Sequence, residues 1–131
     1  MKGQLSIEFL IIILVALSFF SIMVPVIASV KSLGDYSINI RAGSRLLDIL
    51  NYSCRLSKIQ GDNSRIDSEF FAPINYTVST ENMTLFLNFP HDNASKLLFL
   101  DNFDCKANAT VQRGLNHLVM SNELLNVTFK A

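Results

Sequence analysis

Hydrophobic positions along this chain fall into three regimes. From Phe9 to Val30 nearly every residue is apolar, and only Ser18, Ser21, Pro25 and Ser29 interrupt the run. Coiled as a helix, that run covers roughly 33 Å, enough to cross a bilayer core. Beyond Val30 the apolar positions take up a heptad-like rhythm: Leu33, Tyr36, Ile40, Gly43, Leu47, Leu50 and Cys54 follow alternating short and long steps along one helix face. A second row, Ile38, Ala42, Leu46, Ile49, Ser53 and Leu56, runs beside it. The rows predict a helix that ends near Lys58–Gln60, where Gly61-Asp62-Asn63-Ser64 supplies stop and turn chemistry. Gly34 and Gly43 each weaken that helix by about 1 kcal/mol against alanine, which makes either a place where it can break.

From Phe70 the period drops to two. Ile74, Tyr76 and Val78 alternate with Asn75 and Thr77; Leu85, Leu87 and Phe89 alternate with Thr84 and Asn88; Val127 and Phe129 alternate with Asn126 and Thr128. Half-buried strands produce this pattern. Turns are expected over Ser79-Thr80-Glu81-Asn82, at Phe89-Pro90-His91-Asp92-Asn93 and at Ser121-Asn122. Further short strands are expected at Leu97–Leu100, Ala107–Gln112, Leu115–Met120 and Leu124–Lys130, giving four to six, mostly antiparallel because the links are short. The fold class is therefore α+β. A long hydrophobic N-terminal helix over 4–30 continues as an amphipathic helix over 31–60, and a small antiparallel β-sheet head follows over 61–131.

The apolar run is hydrophobic on every side, as suits a helix surrounded by lipid or by other helices. Ala16, Ser18 and Ser21 are small enough to let another helix approach closely. Pro25 withholds the hydrogen bond to the Ser21 carbonyl, so a kink or a local loosening is expected there. An ordinary secretory leader has a basic n-region and a shorter apolar core than this. Here a single lysine, Lys2, precedes the run, and a glutamate, Glu8, stands at its mouth. A carboxylate deep in lipid costs on the order of 2.5–3.5 kcal/mol, and less near the interface.

The order Lys2-Gly3 followed by Gln4-x-Ser6-x-Glu8-Phe9 resembles the class III signal peptide of archaeal type IV pilin-like proteins. The resemblance covers the first thirty residues or so and nothing further. It implies that a membrane-embedded prepilin peptidase cuts between Gly3 and Gln4, removing residues 1–3 and leaving the apolar helix in the mature chain as a pilin-like stalk. It also implies assembly on a pilus platform with other pilin subunits, from a membrane-stored precursor, into a surface filament used for adhesion or surface contact. Physical chemistry supplies a reason for the motif. Cleavage creates an amine on Gln4, and Glu8 lies four residues further on, along the same helix face. The helix dipole favours a carboxylate near the N-terminus by about 0.3–1 kcal/mol. Pairing with a neighbouring subunit's amine would offset much of the remaining cost, and only at the correct axial offset. Gln4 and Glu8 thus read as an assembly-register pair, unless the N-terminal glutamine cyclises and loses its amine.

Acidic and basic residues are equal in number, 11 each, so no electrostatic footprint for nucleic acid exists. Lys2 and Lys31 flank the run and barely decide orientation. The cysteines and the glycosylation-like triplets, with the motif, place the C-terminal part outside the cell. Cys54 and Cys105 are the two cysteines, and one disulfide is the economical reading in an extracytoplasmic domain. Asn-x-Ser/Thr triplets at Asn51, Asn75, Asn82, Asn93, Asn108 and Asn126 are acceptors for N-glycans, with Asn82 and Asn93 best placed in turns. A strand with one polar face also puts Asn and Thr two apart, so the triplets have a purely structural reading as well. Neither a cofactor motif nor metal-ligand spacing occurs: His91 and His117 lie far apart, and the acidic stretch Asp62–Glu69 lacks an ordered calcium loop and reads as solvated. With no nucleophile–base pair or phosphate loop, an enzyme is not expected.

Three readings therefore stand: a filament subunit, a monomeric signal-anchored extracellular domain, and a secreted protein cut after Val26-Ile27-Ala28. The N-terminal residue of the mature chain, Gln4, Met1 or Ser29, separates them.

Overall fold

A computed structural model describes residues 2–61 and 63–129. Met1 of the expected leader, Asp62 of the acidic stretch and Lys130 of the last expected strand lie outside the described residues. The chain is α+β: among the described residues there is one long N-terminal helix, α1 (Lys2–Gln60), then seven strands in two small antiparallel sheets. Two compact units divide it, one ending at Tyr36 and the other starting at Ser37. The second half of α1 thus belongs with the strands, not with the apolar run.

In the first unit α1 is helical throughout, and its large side chains are exposed: Phe9, Ile12, Val15, Phe20 and Ile22 among them. Neither proline nor glycine breaks it. Pro25 lies inside the helix, Ser29 Oγ donates to the Pro25 carbonyl at 2.9 Å, and Ser18 Oγ donates to the Leu14 carbonyl at 2.8 Å. The expected break at Gly34 or Gly43 is likewise absent, because α1 continues through both to Gln60.

The second unit packs α1 from Ser37 onward against the strands. The two apolar rows become its core contact from Gly43 on: Leu46, Leu47, Leu50, Ser53, Cys54 and Ser57 are buried, while Leu33 and Ile38, nearer the apolar run, are exposed. Buried residues beyond the helix complete the core, Phe103, Val111, Leu118 and Met120 among them, with Tyr76 edge-on to both Phe70 (6.3 Å) and Phe89 (5.8 Å), an arrangement aromatic pairs favour. The Tyr76 hydroxyl donates to the Asn39 carbonyl at 2.8 Å, and burial pushes its pKa up to about 12. Gly43 explains how the sheet comes so close to the helix. A Cβ there would lie 2.9 Å from Leu87 Cδ2 and 3.0 Å from Leu98 Cδ1.

The strands are β1 (Arg65–Ala72), β2 (Tyr76–Glu81), β3 (Thr84–His91), β4 (Ala94–Asp101), β5 (Ala109–Val111), β6 (Gly114–Ser121) and β7 (Leu124–Phe129). One sheet has the order β1-β6-β7 and the other β4-β3-β2-β5. A parallel bridge between Lys106 and Leu124 ties the two, with Lys106 N donating to the Glu123 carbonyl and Leu125 N to the Lys106 carbonyl.

Seven strands replace the expected four to six, and β1 is the main correction. The stretch expected to be a solvated acidic loop is, from Arg65 on, an edge strand paired with β6 from Arg65↔Ser121 to Ala72↔Gly114. Its inward positions, Ile66, Ser68, Phe70 and Ala72, are the more buried ones, and its charges point outward. Turns are also tighter than expected. Ser79–Glu81 belongs to β2, and the loops are the pairs Asn82-Met83, Asp92-Asn93 and Asn122-Glu123. All six residues have φ between 46° and 63°, the both-positive signature of type I′ turns, whose twist matches antiparallel strands. Strand boundaries move accordingly: β4 starts at Ala94, β5 is only Ala109–Val111, and Ile74 precedes β2.

Candidate functional site

The N-terminal constellation lies on α1 in the first unit. Gly3, Gln4 and Glu8 are all helical and exposed, and nothing lies within 4 Å of where a Gly3 Cβ would sit. Gln4 and Glu8 are one helical step of four apart, so they share a face. The dipole argument needs adjusting, because α1 starts at Lys2 and its first turn holds no acidic side chain. In the uncut chain Glu8 therefore stands in the second turn, where the dipole's effect has faded. A cut at Gly3–Gln4 would bring the carboxylate closer to the new terminus. Exposed apolar side chains lie on both sides of Glu8: Ile7 is 64% exposed, Phe9 64% and Ile12 65%. The helix from Ser6 is long and apolar enough to cross a membrane.

Pro25, the expected kink, is accommodated within the helix, and the Ser29 hydroxyl takes up its carbonyl. Back-bonding of this kind lets a hydroxyl sit in an apolar helix with its polar atom satisfied.

In the second unit Cys54 and Cys105 form a disulfide, with Cα atoms 6.0 Å apart and both residues buried. Cys105 lies in the link between β4 and β5, so the bond fastens the last turns of α1 to that link. Lys58 and Asp104 form an ion pair beside it at 2.6 Å.

Five of the six Asn-x-Ser/Thr asparagines are exposed: Asn75, Asn82, Asn93, Asn108 and Asn126. Asn82 and Asn93 occupy hairpin turns, as expected from the turn chemistry. Asn51 is half-buried on α1, and the Asn75 Oδ1 accepts the Arg113 backbone N–H at 2.7 Å. Asn126 lies within β7.

Among the described residues no three His, Cys, Asp or Glu side chains converge as a metal site. His91 Nε2 lies 3.2 Å from Asp92 Oδ2 on the β3–β4 hairpin, and His117 lies on β6.

The chain matches no family model, no curated protein and no solved structure.

Two features escaped sequence reasoning. One is the Tyr76–Asn39 bond, whose acceptor is a backbone carbonyl and leaves no mark on side-chain pattern. The other is the exposed apolar surface of β4, where Leu97 is 57% and Phe99 64% exposed. The apolar run was visible, but not that β4 would be an edge.

Proposed function

We propose that the chain is a structural subunit of an archaeal type IV pilus-like surface filament, stored in the cytoplasmic membrane before assembly and used in adhesion or surface contact. One observation carries the reading: Glu8 stands at the head of a helix whose large apolar side chains are exposed all round, from Phe9 to Val30. Within the first unit none of the described residues covers that surface, so its partner is lipid, other copies of the helix, or each in turn. Glu8 distinguishes these uses. A plain anchor gains nothing from a carboxylate at the membrane's edge, whereas a stacked subunit gains a register if a neighbour's Gln4 amine meets it. The disulfide and five exposed Asn-x-Ser/Thr sites support an extracellular head.

N-terminal sequencing of the membrane-bound and surface-sheared protein tests the reading. A mature terminus at Gln4 supports it; Met1 points to a monomeric signal anchor and Ser29 to a secreted protein. Glu8→Ala should retain membrane insertion and lose filament incorporation. Normal filaments built from that variant would remove the register role.

A further inference from the structure

Four strands end the two sheets: β7 and β5 meet beside the isolated Lys106–Leu124 bridge, while β1, beyond β6, and β4, beyond β3, have one side unpaired by any other described strand. Both span eight residues. Hydrogen-bond alternation shows which backbone groups face these edges. The β3–β4 and β6–β7 hairpins close on two-residue turns, so His91↔Ala94 and Ser121↔Leu124 are bonded pairs and every second pair after them is bonded too. On β4, the backbone groups of Leu97, Phe99 and Asp101 therefore face the edge. On β6, the residues not used by β7 bond β1, and the backbone groups of Arg65, Asp67 and Phe71 face the other edge. The same residues carry the outward side chains, with Phe71 69%, Leu97 57% and Phe99 64% exposed. The β4 edge is apolar at Leu97 and Phe99, whereas the β1 edge carries Arg65, Asp67 and Glu69 beside Phe71; an uncovered edge strand is an association site unless something blunts it.

The strand senses say what fits there. Antiparallel pairing alternates from β1 to β7, passes through the parallel Lys106–Leu124 bridge, and alternates again from β5 to β4. β1 and β4 thus run in opposite senses within one copy. Two copies pointing the same way and set side by side bring the β1 edge of one to the β4 edge of the other as an antiparallel pair. Full overlap of the two strands sets Arg65 opposite Asp101. Sliding the strands by one or two bonded pairs in one direction instead sets Asp67 or Glu69 opposite Asp101, and like charges directly opposed are destabilising. None of the six Asn-x-Ser/Thr asparagines falls within β1 or β4, although Asn93 directly precedes β4, whereas Asn75, Asn108 and Asn126 lie at β2, β5 and β7 between them.

We propose that the β1 edge of one copy pairs with the β4 edge of the next, Arg65 against Asp101, joining the heads into a continued sheet. The contact uses two different surfaces, so it propagates from copy to copy and does not close as a dimer. The proposal rests on the filament reading for one premise, that neighbouring copies point the same way.

The test is cysteine cross-linking of the full chain in the cells that make it. In a bonded antiparallel pair the Cα atoms lie about 5.5 Å apart, within the range a disulfide spans. The native cysteines are already bonded to each other. A double variant, R65C with D101C, should give a ladder of dimers, trimers and higher species on non-reducing gels, collapsed by reductant. Either single variant should give dimers at most, and D67C with D101C, out of register, several-fold less ladder. Filaments visible by electron microscopy without a ladder would overturn the edge pairing and leave the filament reading standing. A ladder without filaments would do the reverse. A double variant that stops at dimer, or that gives neither ladder nor filaments, would also overturn the pairing.

Discussion

Replacing both Cys54 and Cys105 with alanine is the sharpest perturbation of the head, and its size follows from the structure. The bond closes a loop with a sequence separation of 51. On the chain-entropy model, releasing a loop of that length returns about 14 cal/mol/K to the unfolded chain, or about 4 kcal/mol at 25 °C. Both sulphurs are buried, so each alanine also leaves a small void, roughly 1 kcal/mol more apiece. Little at that end of α1 replaces the bond. The Lys58–Asp104 pair beside it is 34% and 42% exposed, and partly solvated pairs contribute no more than about 1 kcal/mol. Ser57 and Ser64 add a hydroxyl–hydroxyl contact at 3.1 Å, and Ser64 Oγ also donates to the Ser57 carbonyl at 3.0 Å. For a domain near 100 residues, each kcal/mol moves the midpoint by about 4–8 °C, so the disulfide alone predicts a fall of roughly 15–30 °C. The assay is thermal unfolding of the full chain in detergent micelles, followed by near-ultraviolet circular dichroism. That signal comes largely from tyrosine, since the chain has no tryptophan, and Tyr76 is fully buried in the head. Far-ultraviolet signal would be dominated by α1, which a micelle keeps helical. A midpoint shift under about 5 °C would refute the reasoning, because the loop entropy would then not be what holds α1 to the β4–β5 link.

Tyr76→Phe removes a buried donor and leaves the Asn39 carbonyl short of a partner, which should cost about 1–3 kcal/mol in denaturant unfolding. It should also flatten a pH dependence. The Tyr76 pKa is raised to about 12 in the folded head, so its contribution is fully present below the ordinary value near 10 and is lost as pH rises through about 12. The native chain should lose stability over that window faster than the Phe variant does; equal slopes would exclude Tyr76 as the titrating group. Gly43→Val places a branched side chain where a Cβ would already meet Leu87 and Leu98, and should destabilise by about 1–3 kcal/mol despite glycine's poor helix propensity. Glu123→Gly relaxes a non-glycine residue held at φ 63° and should stabilise by about 1 kcal/mol, read as a raised midpoint.

Legibility followed the range of the interactions involved. α1 was readable to its last residues because helix periodicity and the Gly61 stop are local signals, and packing added only which part of each row is buried. The disulfide was readable because two cysteines leave one pairing. By contrast β1 was hidden by its own outward face. Arg65, Asp67 and Glu69 dominate the composition, and Ser68 interrupts the apolar alternation that Ile66, Phe70 and Ala72 would otherwise have shown. The turns were misjudged because Met83 and Glu123 lack the usual preference for positive φ; strand register over-determines them, at a local cost of about 1–2 kcal/mol each.

The two candidate contact surfaces differ in the same way. Glu8 stands out from its neighbours alone, since a carboxylate before an apolar run is anomalous in any fold. Nothing local distinguishes Leu97 and Phe99 from core residues; they become an edge only once β4 pairs with β3 and meets no further strand. That difference bears on assembly. A register set by one charge on the helix fixes how far a neighbour slides along the axis but leaves rotation about it open. An edge-to-edge sheet contact fixes rotation, because turning the neighbour separates the strands. A filament subunit built this way needs both. On the filament reading, removing Glu8 should therefore abolish incorporation while sparing membrane insertion, whereas disrupting the proposed Arg65–Asp101 contact should leave helix association intact and loosen the heads.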